Sequence, residues 1–88
     1  PEFANCLTRI GVCHTKLGGH AQALESHQRA LAMRQSFYGD ASDREDVTGS
    51  LIHIGNCYLA LKEHKKALEY FQWAFDMQKR MYTVCFLV

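Results

Sequence analysis

The stretch LTRIGVCH at residues 7–14 returns as LIHIGNCY at residues 51–58, so that Gly11 meets Gly55 at an offset of 44 residues. The match continues on both sides of this stretch. Ala23-Leu24-Glu25, for example, returns as Ala67-Leu68-Glu69, and the register as a whole contains thirteen identities. Chance does not produce so many in one register. The chain therefore consists of two copies of one unit.

Each copy has the periodicity of two amphipathic helices. Apolar residues recur at steps of three and four, as in Leu51, Ile54, Tyr58 and Leu61, which indicates one buried face of an α-helix. Gly18-Gly19 interrupts the first copy, because glycine accepts the left-handed conformation that follows a helix end. The sequence predicts an all-α fold with helices at about residues 5–17, 20–38, 43–61 and 64–82.

The connections divide the chain further. Residues 4–39 and 44–82 are the predicted units, residues 40–43 are a small polar linker, and residues 83–88 are an apolar tail. Ser42 and Glu45 have the spacing of a capping box, which predicts the start of the third helix. Residues 1–3 are interpreted as a cloning remnant.

Composition excludes several classes of protein. Ten basic and nine acidic residues leave a net charge of +1, so a nucleic-acid partner is not expected. No stretch is long and apolar enough for a membrane span, and a signal peptide is not expected. We therefore expect a cytoplasmic protein with reduced cysteines, and no enzyme, metal site or cofactor.

These residues resemble the tetratricopeptide repeat, whose first helix carries a large residue, then a large-small pair, then an aromatic residue. The resemblance implies stacked helix-turn-helix units with small residues where helices approach closely. The residues assigned to this repeat packing are Leu7, Ile10, Gly11, Ala23, Ala30, Leu51, Ile54, Gly55, Tyr58, Ala67, Phe71 and Ala74.

The unit departs from the family pattern in two respects. The family repeat has 34 residues, so this unit is ten residues longer and is similar to the long units of kinesin light chains. Secondly, His14 and His27 stand where the family prefers aromatic residues. Because the pattern directs both histidines at one interface, they are predicted to touch, with partly solvated packing as the alternative. Cys13 and Cys57 are interpreted as small core residues.

The resemblance implies that a partner protein or peptide binds on the concave face formed by the first helices. Carried over by position, the candidate groove residues are Thr8, Arg9, Val12, Lys16, Ile52, His53, Asn56 and Leu59. Asn56 matches a family asparagine that holds a peptide backbone or terminal carboxylate. Val12 and Ile52 replace other residues of that clamp, which argues against the carboxylate mode.

Two alternatives remain open at the C-terminal end. Two repeats fall short of the three usually needed for independent stability, which predicts a homo-oligomer or a longer parent array. The candidate self-association residues are Trp73, Phe75, Met77, Met81, Phe86 and Leu87. Separately, Cys85-Phe86-Leu87-Val88 fits the C-a-a-X prenylation pattern, in which Cys85 would carry a lipid. The preferred explanation of these four residues is a cloning boundary, vector readthrough or an aliphatic tail packed on the last helix.

Overall fold

The computed structural model describes residues 2–39 and 44–87, with the side chains of residues 83–87 left outside the description. It contains four helices, α1 (Glu2–Lys16), α2 (His20–Tyr38), α3 (Glu45–Ala60) and α4 (His64–Leu87). The described residues include no strand. The predicted all-α architecture of two helix-turn-helix units is confirmed.

Each helix packs on its neighbours in the chain, α1 on α2, α2 on α3 and α3 on α4. Within the described residues, α2 and α3 are therefore each covered by helices on two sides, while α1 and α4 are each covered on one. The helix stack measures 43 × 29 × 18 Å along its principal axes. None of the described helices is long and apolar enough to cross a lipid bilayer.

The turns inside the two units are the same, although only the first contains glycine. The Gly19 amide donates to the His14 carbonyl and the Gly18 amide to that of Thr15, at 2.7 and 3.0 Å. In the second unit the Glu63 and Lys62 amides repeat these two bonds. This is the Schellman motif, which needs a residue of positive φ. Gly18 has φ 83° and Lys62 has φ 63°.

Three helix boundaries differ from the prediction. Helix α1 begins at Glu2, inside the segment interpreted as a remnant, and α3 begins at Glu45 after Arg44, whose extended backbone caps the helix without a side-chain hydrogen bond. The predicted capping residue Ser42 and the whole linker 40–43 lie outside the described residues.

The third difference is the end of α4. This helix runs to Leu87, so residues 83–87, predicted as a tail, continue it. The physical reason is the absence of a terminator. In the first copy Gly39, at φ 60°, ends α2, whereas Thr83 stands at the equivalent position and does not break a helix.

The core lies around α3. The buried residues that form this hydrophobic core are Leu31, Val47, Leu51, Ile54, Tyr58, Ala67, Ala74 and Met77. Close approach explains the small residues. A Cβ atom added at Gly11 would lie 2.6 Å from the His27 ring, and one added at Gly55 would lie 2.7 Å from the Phe71 ring. Glycine therefore lets a ring of the second helix lie on the backbone of the first.

Burial of the assigned packing residues follows their place in the stack. Those of α2, α3 and α4 are buried apart from the half-buried Phe71, and Gly11 of α1 is buried as well. Leu7 is half-buried, whereas Ile10 is 47% exposed. The assignment of Ile10 to the core is therefore wrong, because no described helix packs on the other side of α1.

Candidate peptide-binding groove

The candidate groove residues lie on the first helix of each unit. In α1, Thr8 and Val12 are half-buried while Arg9 and Lys16 are exposed. In α3, His53 is half-buried while Ile52, Asn56 and Leu59 are exposed. All eight side chains are thus at least partly accessible to a partner.

Four of these residues line one cavity of about 340 Å³ between α1 and α3. They are Val12 and Lys16 from α1, and His53 and Asn56 from α3. Thr15, Cys57 and Ala60 complete the wall, and His20 and His27 reach it from α2. Thr8, Arg9, Ile52 and Leu59 do not line this cavity, so the predicted set separates into a cavity and its surroundings.

Sequence reasoning missed the contribution of α2 to the cavity. His27 is 1% exposed and stacks on His53, with ring centroids 4.6 Å apart and ring planes 4° from parallel. His14, the predicted partner of His27, lies on α1 and is half-buried. The prediction of a His14–His27 pair is corrected: the ring partner of His27 comes from the next repeat.

The environment of this pair favours neutral imidazoles. Burial, then the neighbouring His53, then Arg34 lower the pKa of His27 to about 4. Burial and Arg34 also lower the pKa of His53. A proton on either ring would be poorly solvated and would face other positive charge. The pair therefore acts as a flat packing surface at neutral pH.

The other polar groups of the cavity do not form a metal site. The Nδ1 atoms of His20 and His27 are buried without a hydrogen-bond partner, and burial raises the pKa of the Cys57 thiol. Even so, no three His, Cys, Asp or Glu side chains within residues 2–39 and 44–82 are arranged to hold a metal ion. Cys57 is buried as predicted, but Cys13 is exposed because it lies on the uncovered side of α1.

A buried arginine joins the two repeats next to this cavity, and sequence reasoning missed it as well. Arg34 of α2 is 5% exposed. Its guanidinium donates to Asn5 Oδ1 at 3.0 Å, to the Asp46 carbonyl at 3.3 Å and to the Ser50 hydroxyl. The Tyr38 hydroxyl donates to the Asp46 carboxylate, which lies 3.9 Å from Arg34 Nε. One signal was available, since Arg34 falls seven residues after the packing position His27 and thus on the same helix face.

The candidate self-association residues divide into three groups. Trp73 and Phe75 are 41% and 63% exposed, and Met81 is half-buried. Met77 is 2% exposed and belongs to the core, so its assignment to a contact surface is wrong. The side chains of Phe86, Leu87 and the lipidation candidate Cys85 lie outside the described residues, and lipidation stays a prediction.

Comparison with known proteins identifies the fold type. A family model described as tetratricopeptide repeat matches residues 2–80. No significant match was found among curated proteins or among solved structures. The family match covers both helix pairs, both packing glycines and the cavity between the first helices. The chain belongs to the tetratricopeptide repeat family.

Proposed function

We propose that the chain is a non-catalytic scaffold that binds an extended segment of a partner protein across the concave face of α1 and α3. Tetratricopeptide repeats are in general protein–protein interaction scaffolds. The observation that carries the proposal is the cavity of about 340 Å³ lined by Val12, Lys16, His53 and Asn56. A cavity of this size accommodates a single side chain of a bound peptide.

The lining favours a segment with an acidic side chain beside an apolar one. Val12, Cys57 and Ala60 supply apolar wall, while Lys16 and Asn56 supply donors at the exposed rim. Among the residues that the structure describes, no Asp or Glu lines the cavity. A carboxylate would gain a charge-assisted hydrogen bond from Lys16 without repulsion from a like charge.

Selection from a phage library of random short peptides tests this proposal. Selected peptides are measured by fluorescence anisotropy against the original chain, Lys16→Glu and Asn56→Ala, with Gln72→Ala on α4 as the matched control. We expect binding to weaken about tenfold or more in both groove variants, in line with the loss of one charge-assisted bond, and to stay unchanged in the control. Peptides that bind all four proteins equally would refute the groove as the site.

Self-association is a second candidate function, favoured by a separate observation. Leu68, Trp73, Phe75 and Tyr82 on α4 are 41–66% exposed, a concentration of apolar surface on a helix covered on one side only. Such surface is typical of an interface. Light scattering coupled to size exclusion gives the mass directly, and a single 10.1 kDa species at all concentrations would contradict this candidate.

We also infer membership of the long-unit class to which kinesin light chains belong. The 44-residue offset and the 19-residue helix α2 support this assignment. The offset is longer than the 34-residue family unit, and α2 is longer than a helix of such a unit needs to be.

A further inference from the structure

Equivalent positions of the two copies differ in burial. On α4, the positions equivalent to the α2 side of the α2–α3 junction are exposed. At equivalent positions, Leu31 of α2 is 7% exposed while Phe75 of α4 is 63% exposed. The half-buried Tyr38 corresponds to Tyr82, which is 66% exposed. Helix α3 covers this side of α2, and no described helix covers the same side of α4. We name Leu68, Phe71, Phe75, Gln78 and Tyr82 the trailing face.

The other half of the same junction is exposed on α1. Ile54 of α3 is fully buried, while its equivalent Ile10 is 47% exposed. Val47 is fully buried and Phe3 is 75% exposed, and the buried Cys57 corresponds to the exposed Cys13. These pairs differ because α3 packs on both α2 and α4, whereas the extensive packing of α1 within the described residues is on α2. We name Glu2, Phe3, Cys6, Ile10 and Cys13 the leading face.

We propose that copies of this chain stack head to tail, the trailing face of one copy docking on the leading face of the next as α2 docks on α3 within the chain. This inference rests on the self-association proposed above and adds its geometry. The argument for a second copy is continuity with an interface that already exists. The two uncovered faces are the two equivalents of the α2–α3 junction, and one chain carries both.

The polar part of the junction also has equivalents on the two faces. Within the chain, the Tyr38 hydroxyl donates to the Asp46 carboxylate across α2 and α3. At the offset of 44 residues these positions are Tyr82 on the trailing face and Glu2 on the leading face. A tyrosine thus again meets a carboxylate, so stacking would repeat a hydrogen bond as well as apolar contact.

Head-to-tail contact is heterologous, since each copy uses two different surfaces. Growth is therefore open-ended, and blocking either surface leaves the other functional. An isologous dimer through α4 would behave differently, because a single substitution on α4 would abolish it and a substitution on α1 would leave it intact. This difference provides the test.

The experiment compares Ile10→Glu, Phe75→Glu and an equimolar mixture of the two by sedimentation velocity. We expect the original chain to form a concentration-dependent series of species above 10.1 kDa, and each variant alone to be monomeric. The mixture should form a species of about 20 kDa and grow no further. The reason is that the intact trailing face of Ile10→Glu can bind the intact leading face of Phe75→Glu, while the other two faces are blocked. Phe37→Glu is the matched control, because Phe37 is 69% exposed against 63% for Phe75 and lies on neither face. It should assemble like the original chain.

Circular dichroism establishes that each variant retains its helices, which is expected because both substituted side chains are largely exposed. A monomeric original chain at every concentration would refute self-association and this inference together. An assembling original chain with an unaffected Ile10→Glu variant would refute the head-to-tail geometry alone, as would assembly lost in Phe37→Glu or a mixture that stays monomeric.

Discussion

The imidazole ring of His27 lies flat on that of His53, with 4.6 Å between the ring centroids. This contact joins the second helix of one repeat to the first helix of the next, and it forms part of the wall of the candidate groove. Two histidines in contact are a stable packing unit only while they are neutral, because a proton on one ring would be buried beside the other ring and Arg34.

Stability should therefore fall in mild acid. The pKa of His27 is lowered from 6.5 to about 4 in the folded chain, so the unfolded chain binds more protons between these values. The stability from the neutral ring is fully present above pH 6.5 and is lost as the pH falls toward 4. We expect the free energy of unfolding to drop by about 2 kcal/mol from pH 7.5 to pH 5, as measured by urea denaturation.

His27→Phe is the matched variant for this effect, because Phe71 occupies the equivalent position in the second repeat. Its unfolding free energy should vary much less across the same pH range. An equally steep loss in His27→Phe would assign the pH dependence to other groups.

Substitution by alanine should destabilise the chain at a packing glycine and stabilise it at a glycine that has space around it. In Gly11→Ala the new methyl group would lie 2.6 Å from the buried His27 ring, and the stacking of this ring on His53 limits its movement. We expect a loss of about 1–2 kcal/mol, since overpacking outweighs the better helix propensity of alanine. Gly49, also inside a helix, has no atom within 4 Å of such a methyl group.

Gly49→Ala should consequently stabilise the chain by about 0.5–1 kcal/mol. Thermal melting of the two variants beside the original chain measures both changes. Equal melting temperatures for Gly11→Ala and Gly49→Ala would contradict the close approach of the helices at Gly11.

The buried arginine should matter far more than an exposed ion pair. Arg34→Ala removes hydrogen bonds to Asn5, Ser50 and the Asp46 carbonyl and leaves the half-buried Asp46 carboxylate without its cation. We expect a loss of about 3 kcal/mol, measured by urea denaturation. Lys66→Ala removes an exposed bridge to Glu63 at 3.5 Å and should cost less than about 1 kcal/mol. Similar losses in both variants would show that the Arg34 network contributes little.

The left-handed residue in the second turn offers a stabilising substitution. Lys62 has φ 63°, where a side chain costs energy that glycine avoids. Lys62→Gly should stabilise the chain by about 0.5–1 kcal/mol after the greater entropy of unfolded glycine is counted. Lys62→Ala removes the same charge and keeps the strain, so it should melt below Lys62→Gly. The reverse order would contradict a left-handed backbone at this position.

The sequence was sufficient for features that depend on neighbours along a helix. Periodicity predicted four helices, and the small residues, Gly11 and Gly55 among them, predicted where two helices approach closely. The Arg34 network depends instead on partners such as Asn5 and Ser50, which lie 29 and 16 residues away in the chain. Only the packing of α1 and α3 against α2 brings Arg34 and these partners together, so no local sequence pattern predicts their hydrogen bonds.

Errors of burial have the same physical origin. Ile10 and Ile54 have equivalent places in the repeat pattern, yet one is 47% exposed and the other is fully buried. A pattern within one repeat describes which side of a helix is apolar, but the number of helices around it is a property of the stack. Similarly, Cys13 and Cys57 have equivalent places in the repeat pattern, yet Cys13 is exposed and Cys57 is buried.

The order in which the helices pack has a consequence for folding speed. The extensive helix–helix contacts join α1 to α2, α2 to α3 and α3 to α4, so native contacts are short-range along the chain and the relative contact order is low. Only small loops must close, at little entropic cost. Such topologies fold in microseconds to milliseconds, and nucleation at either helical hairpin can propagate to the other.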